Sequence, residues 1–184
     1  MILFPFVVSL SNHIFDMANG LQLRRSIPMA VLLLIAVLLA ACSGDRKPPS
    51  ELLLGPGDFR GGAITETARE TGETFLDEPA VQVELSGPDF TLLESLVLFD
   101  AEHLALSILD RIKQDQTAQG VTAQPVEGFD DISGVISDQL HGDEASTLFF
   151  VQGRALVRIT LTGAGRAERV WEIARLARDK SRDQ

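Results

Sequence analysis

The chain has 184 residues, 45% of them apolar and 23% charged, with 16 Lys+Arg against 26 Asp+Glu and a single Cys. That profile describes one ordinary domain with a possible tail, neither disordered nor collagen-like. One Cys excludes an internal disulfide framework or a multi-Cys zinc site, and a net charge of −10 argues against non-specific nucleic-acid binding, which needs basic side chains to displace phosphate counterions.

The N-terminus reads as an address. Arg24 and Arg25 supply a positive start, and Ile27 to Ala41 is an almost wholly apolar run of 15 residues. A bilayer span needs about 20 such residues, so the run fits a signal peptide better than a stop-transfer helix. Counted from Met17, the segment 17–41 has 25 residues, inside the usual range of about 15–30. Residues 1–16 (MILFPFVVSLSNHIFD) therefore read as a mis-assigned start, the alternative being an extended n-region.

Leu39-Ala40-Ala41-Cys42 closes this segment and resembles the lipobox of bacterial lipoproteins. The resemblance implies acylation of the Cys42 thiol, cleavage just before it, and a membrane partner reached through that lipid anchor. Each buried CH₂ contributes about 0.8 kcal/mol, so two or three long chains hold a protein stably at a membrane. Ser43 follows where an Asp would imply inner-membrane retention. In a Gram-negative envelope this implies the outer membrane and its periplasmic face. A plain secretory peptide, or a buried Cys, is the competing reading.

Residues 42–50 then form the lipidated Cys and a polar tether containing Pro48-Pro49. One domain is expected over 51–180, followed by a tail at 181–184. Glu51 to Leu54 is short and apolar, and Gly55-Pro56-Gly57 is a turn. A strand is expected at 62–68, with 71–78 ambiguous. Pro79 to Leu85 alternates at period two, and Leu92 to Phe99 is a second strong strand. Asp100 offers an N-cap for a helix whose stripe is Ala101, Leu104, Ala105, Ile108, Leu109 and Ile112, ending by Gly120. Val121 to Val126 reads as an edge strand carrying Pro125, and Phe129 to Leu140 alternates weakly. Residues 146–152 and 155–162 are strands joined by the Gly153-Arg154 turn. A last helix spans 166–180, with Ala167, Val170, Trp171, Ala174 and Ala177 on one side.

The order β-β-β-α-β-β-β-β-α predicts an α+β fold, a mainly antiparallel β-sheet flanked by two amphipathic helices. Behind a lipobox, this layout resembles the PsbP/Mog1-like lipoprotein group, including the LpqN and LpqT type. The points of contact are Leu53-Leu54-Gly55-Pro56-Gly57-Asp58, Gly142-Asp143-Glu144-Ala145 and Phe150-Val151-Gln152-Gly153-Arg154-Ala155-Leu156-Val157. The resemblance implies accessory or ligand-binding roles outside the cytoplasm and carries over no catalytic residue.

Charge is unevenly placed. Residues 42–153 hold six Lys+Arg and 21 Asp+Glu, while residues 154–184 hold eight and four. Either the basic last helix lies over an acidic body, or Arg166, Arg169, Arg175, Arg178, Lys180 and Arg182 face anionic headgroups.

Candidate chemistry is sparse. His141-Gly142-Asp143-Glu144, with Asp130, Asp131 and Asp138 nearby, could supply oxygen ligands to a cation, but lacks the EF-hand spacing and reads first as a solvated loop. His103 has no partner by spacing and reads as a surface His. Nucleophile-elbow, zinc-protease, P-loop and dinucleotide-binding signatures are absent. Phe149 and Phe150 should point to opposite faces, one into the core and the other toward solvent or a pocket, and Trp171 should pack in the core. The absence of Tyr slightly disfavours an adhesive or sugar-binding surface. The expectation is a non-enzymatic lipoprotein without cofactor or metal, with Cys42 as its one assigned site, the lipidation site. It would bind or sense an unidentified small molecule or protein, or serve as a structural accessory subunit of an envelope complex.

Overall fold

The computed structural model describes residues 47–182 apart from Phe75 and Pro125, and residues 47–184 cluster as a unit of their own. Residues 1–16, the signal segment 17–41 with its lipobox, Cys42 and the first four tether residues lie outside the described residues. Among those described, no helix is long and apolar enough to cross a membrane.

The fold is α+β. A single-turn helix α1 (Pro49–Leu52) and a 3₁₀ turn (Pro56–Asp58) precede strands β1 (Thr65–Glu73), β2 (Pro79–Ser86) and β3 (Phe90–Leu98). Helix α2 (Glu102–Ala118) follows, then β4 (Ile136–Leu140), β5 (Asp143–Gln152), β6 (Ala155–Gly163) and helix α3 (Arg166–Ser181). The six strands form one sheet in the order β1-β2-β3-β6-β5-β4 with every neighbour antiparallel. Two three-stranded meanders are thus joined at β3 and β6, and the 146–162 hairpin has its β6 arm in the middle of the sheet. The two margins are β1 and β4.

One face of the sheet carries the main core. Val81, Val83, Leu85, Leu92, Leu96, Leu148, Phe150, Val157, Ile159 and Leu161 alternate inward and are buried. They pack with Leu52–Leu54 of the N-terminal segment and with Val170, Ile173, Ala174 and Ala177 of α3. Helix α2 also contacts β5 and β6, but its buried Ala105 and Leu109 stand outside that cluster, as do Val97, Phe149 and Leu156. On the rows of that opposite parity, Ser95 Oγ donates to Gln82 Oε1 at 3.0 Å, the Thr147 and Thr160 hydroxyls share a bond of 2.9 Å, and Arg158 Nε donates to Thr160 Oγ1 at 3.1 Å.

Several expectations shift. The first helix starts at Pro49, two residues before Glu51, because proline is tolerated in the first turn of a helix, and Arg69 Nη1 donates to the Ser50 carbonyl at 2.9 Å. The 62–68 strand and the ambiguous stretch after it resolve into β1, and the last helix runs one residue longer than expected. Helix α2 begins at Glu102 behind Ala101, with no side-chain cap from Asp100. Its buried apolar stripe shrinks to Ala105 and Leu109, with Leu104 exposed and Ala101, Ile108 and Ile112 half-buried.

Residues 121–124 form no strand, and Val126 makes only an isolated bridge to Phe129. The Val121 N–H goes to the Gln116 carbonyl, Gly134 N–H to Gln116 Oε1, and Phe149 N–H to Ser133 Oγ, so these groups satisfy the connection without a ladder. Only Ile136–Leu140 of the weakly alternating segment pairs as a strand, giving six strands rather than seven. Phe149 and Phe150 are both buried, so neither is the solvent-facing member of the pair. On α3, Ile173 takes the core place expected of Ala167, which is exposed.

Gly163 ends β6 at φ +99°, and a Cβ there would sit 2.2 Å from the Asp89 carbonyl oxygen and 2.8 Å from Phe90 Cα. Both the backbone conformation and the contact require glycine. Gly163→Ala is expected to cost about 1–3 kcal/mol and to displace the β2–β3 turn. Urea unfolding checks this, and an unchanged midpoint contradicts it.

Candidate functional site

The β2–β3 turn, the start of α3 and the segment after the 3₁₀ turn enclose a groove of about 550 Å³. Its apolar lining comes from Phe59, Ile64, Phe90, Ile173 and Leu176. Phe59 and Phe90 pack with ring centroids 6.2 Å apart. Leu176 is 40% exposed, so α3 offers a large apolar side chain to solvent at the groove. Arg60, Asp58, Asp89, Arg169 and Glu172 add charge to the lining.

Arg169 organises one end. Its guanidinium lies 5.1 Å over the Phe90 ring and donates to Asp89 Oδ2 at 2.9 Å. That hydrogen bond, rather than burial, holds the Asp89 carboxyl below its ordinary range. Arg169 Nη1 is buried without a hydrogen-bond partner among the described residues. A polar depression adjoins across Pro88–Phe90, lined by Thr91, Asp143, Glu144, Thr162 and Arg166.

Apart from the groove lining, the core holds a buried acid that the sequence reading did not single out. Glu94 lies mid-strand in β3, paired in register with Val83 on β2 and Ile159 on β6. Its side chain is fully buried among core residues. Glu94 Oε2 accepts the Leu54 N–H at 2.7 Å, and Oε1 has no hydrogen-bond partner among the described residues. Burial pushes the carboxyl up to about 8, against the Leu54 N–H and the positive charges of Lys180 and Arg69, which favour its ionised form. The pattern Leu92-x-Glu94-x-Leu96 held the signal: a carboxylate on the core parity of a strand.

The other expected residues disperse. His103 lies in the first turn of α2, in a shallow depression formed by that helix's own side chains. His141 and Gly142 form the β4–β5 turn, both with positive φ. Glu144 pairs with Arg166, and Asp131 lies 3.7 Å from Lys113. No group of three or more His, Cys, Asp or Glu able to hold a metal occurs among the described residues. Trp171 packs against the core, edge-to-face with Phe129 at 6.3 Å.

The cations of α3 reach back to the acidic body. Arg166 bonds Glu144, Arg169 bonds Asp89 and Lys180 bonds Asp58. Arg178 donates to the Gly128 carbonyl and sits 5.0 Å from the Phe129 ring centroid. Arg166, Arg169 and Lys180 thus follow the internally complementary reading, whereas Arg175 is exposed and Arg178 and Arg182 pair with Asp179 of their own helix. Exposed pairs of this kind are each worth about 0–1 kcal/mol.

No family model and no curated protein matches the chain. Its fold is similar to that of the crystal structure of the extracellular domain of PknH from Mycobacterium tuberculosis, at a TM-score of 0.51 and 11% identity. The match covers 76% of this chain and 100% of that domain. At this identity the likeness concerns the fold.

Proposed function

We propose that the protein is a lipoprotein anchored through Cys42 on the extracytoplasmic side of a membrane, and that its domain binds a small molecule or a partner segment rather than catalysing a reaction. The groove between Phe59–Ile64, Phe90 and α3 carries this reading. Its apolar lining and charged rim match the usual make-up of a ligand site, an apolar cleft with a few polar groups. The lipobox residues and the fold shared with an extracellular domain support the location. The PsbP/Mog1-like layout belongs to the same proposal, resting on the fragments quoted above.

Two measurements test it. Cys42→Ala is expected to move the protein from the membrane fraction to the soluble one, and a variant still fully membrane-bound would end the lipoprotein reading. Protein purified from its native membrane and weighed under native conditions is expected to carry extra mass that Phe90→Ala loses. A bare chain that co-purifies with a membrane complex would instead favour the accessory-subunit reading.

A further inference from the structure

Residues Leu52–Asp58 form a strap across the core face of the sheet, and the pins that hold it converge on Glu94. Leu52, Leu53 and Leu54 are at most 1% exposed. The Leu54 N–H is taken by Glu94, and the Leu54 carbonyl accepts from Arg69 Nη2 at 3.2 Å. Arg69 also donates to Ser50 O and to Glu66. Asp58 Oδ2 accepts the Gly55 N–H at 2.7 Å and is bonded by Lys180. Immediately beyond Asp58, residues 59–64 become one wall of the groove.

The surroundings of Glu94 leave its ionised form few remedies. The charged groups that act on it are Arg69 of β1, Lys180 of α3 and Asp58 of the 3₁₀ turn. Arg69 is already committed to Glu66, to the Leu54 carbonyl of the strap and to the Ser50 carbonyl just before it, and Lys180 to Asp58. Strands β2 and β6 place Val83 and Ile159 beside it, α1 contributes buried Leu52, and Glu51 of that helix is exposed. A neutral carboxyl is tolerated in such a pocket, but an unpaired carboxylate is not. If ionised Glu94 draws in Lys180 or Arg69, the strap loses its pin at Asp58 or at Leu54. If water hydrates it instead, water enters past a strap whose only regular element is one 3₁₀ turn, with the single turn of α1 before it. Both routes loosen the same segment.

We propose that Glu94 is a proton-operated latch: neutral, it keeps the Leu52–Asp58 strap closed on the sheet, and ionised, it releases the strap together with the 59–64 wall of the groove. Its bearing on binding rests on the groove reading above. The test uses no ligand, so a failed latch and a failed groove are told apart.

The experiment is amide hydrogen exchange on the full chain in detergent micelles, from about pH 6 to about pH 9, corrected for intrinsic exchange. Peptides covering 52–64 are expected to lose protection with rising pH by at least about tenfold more than peptides of β6. Glu94→Gln, which keeps an oxygen acceptor for the Leu54 N–H, is expected to hold strap protection flat across the range. Strap and β6 protection falling together, or an unaltered pH response in Glu94→Gln, would overturn the latch. Lys180→Gln gives an independent reading, since removing a cation that favours the ionised form should move the midpoint to higher pH. A purely structural pin would lower protection at every pH and leave the midpoint in place, which would also count against the proposal.

Discussion

Glu94→Gln is expected to stabilise the fold at pH 8 and above by about 2–4 kcal/mol, and to flatten its dependence on pH. The sign follows from linkage. Burial raises the folded-state carboxyl from 4.5 to about 8, so between those values the folded chain holds a proton that the unfolded chain has lost. Stability is therefore complete below about 4.5, declines as pH rises, and reaches its low plateau once pH has passed the folded value. The whole interval corresponds to an upper bound of about 5 kcal/mol, which relaxation around the ionised group reduces. The amide of Gln has the same shape, carries no charge, and still accepts the Leu54 N–H. Urea titrations across pH check this. A variant whose stability tracks the parent at every pH would show that Glu94 does not set the slope.

Phe150→Ala is expected to cost about 3–5 kcal/mol. Phe150 is completely buried, faces Val157 across the β5–β6 ladder, and packs edge-to-face on Phe129 with centroids 5.4 Å apart. It also bridges to Ile132, which ties the irregular connection before β4 to the core. Truncation removes the ring contact and the core packing, though not the backbone bridge, and leaves a cavity that a fixed sheet fills only in part. Phe150→Leu, which keeps much of the volume, should lose markedly less. Equal losses for Ala and Leu in chemical denaturation would show that the site collapses freely, contrary to its packing.

These two residues illustrate how far the sequence could be read. Phe150 lies in a strand whose alternation and closing Gly153-Arg154 turn were both legible, and the hairpin was placed correctly except for an earlier start of β5. Glu94 lies in an equally legible strand, yet its role was not visible. Period-two alternation identifies which face a side chain occupies, but not what covers that face. The cover is the Leu52–Asp58 strap, about 40 residues earlier in the chain, and only packing brings the two together. The groove was hidden for the same reason: Phe59, Phe90 and Leu176 come from three distant segments.

Local physics settled what depends on near neighbours. The switch from period two to period 3.6 after β3 marked α2, and the Gly163–Gly165 break marked the start of α3. The run of hairpins likewise called for an antiparallel α+β sheet. Tertiary structure decided what depends on competition between distant groups. Residues 121–126 have strand-like composition, but the Val121 N–H goes to the end of α2 at Gln116 and Val126 bridges locally to Phe129, while the bonds to β5 are taken by Asp131 and Ser133 further along. The pairing of β3 with β6, the return of the α3 cations to Glu144, Asp89 and Asp58, and the enclosure of Glu94 all depend on contacts far apart in sequence. A linear pattern records the preference of each segment. Which of several acceptable partners each segment meets is fixed only when the whole core closes.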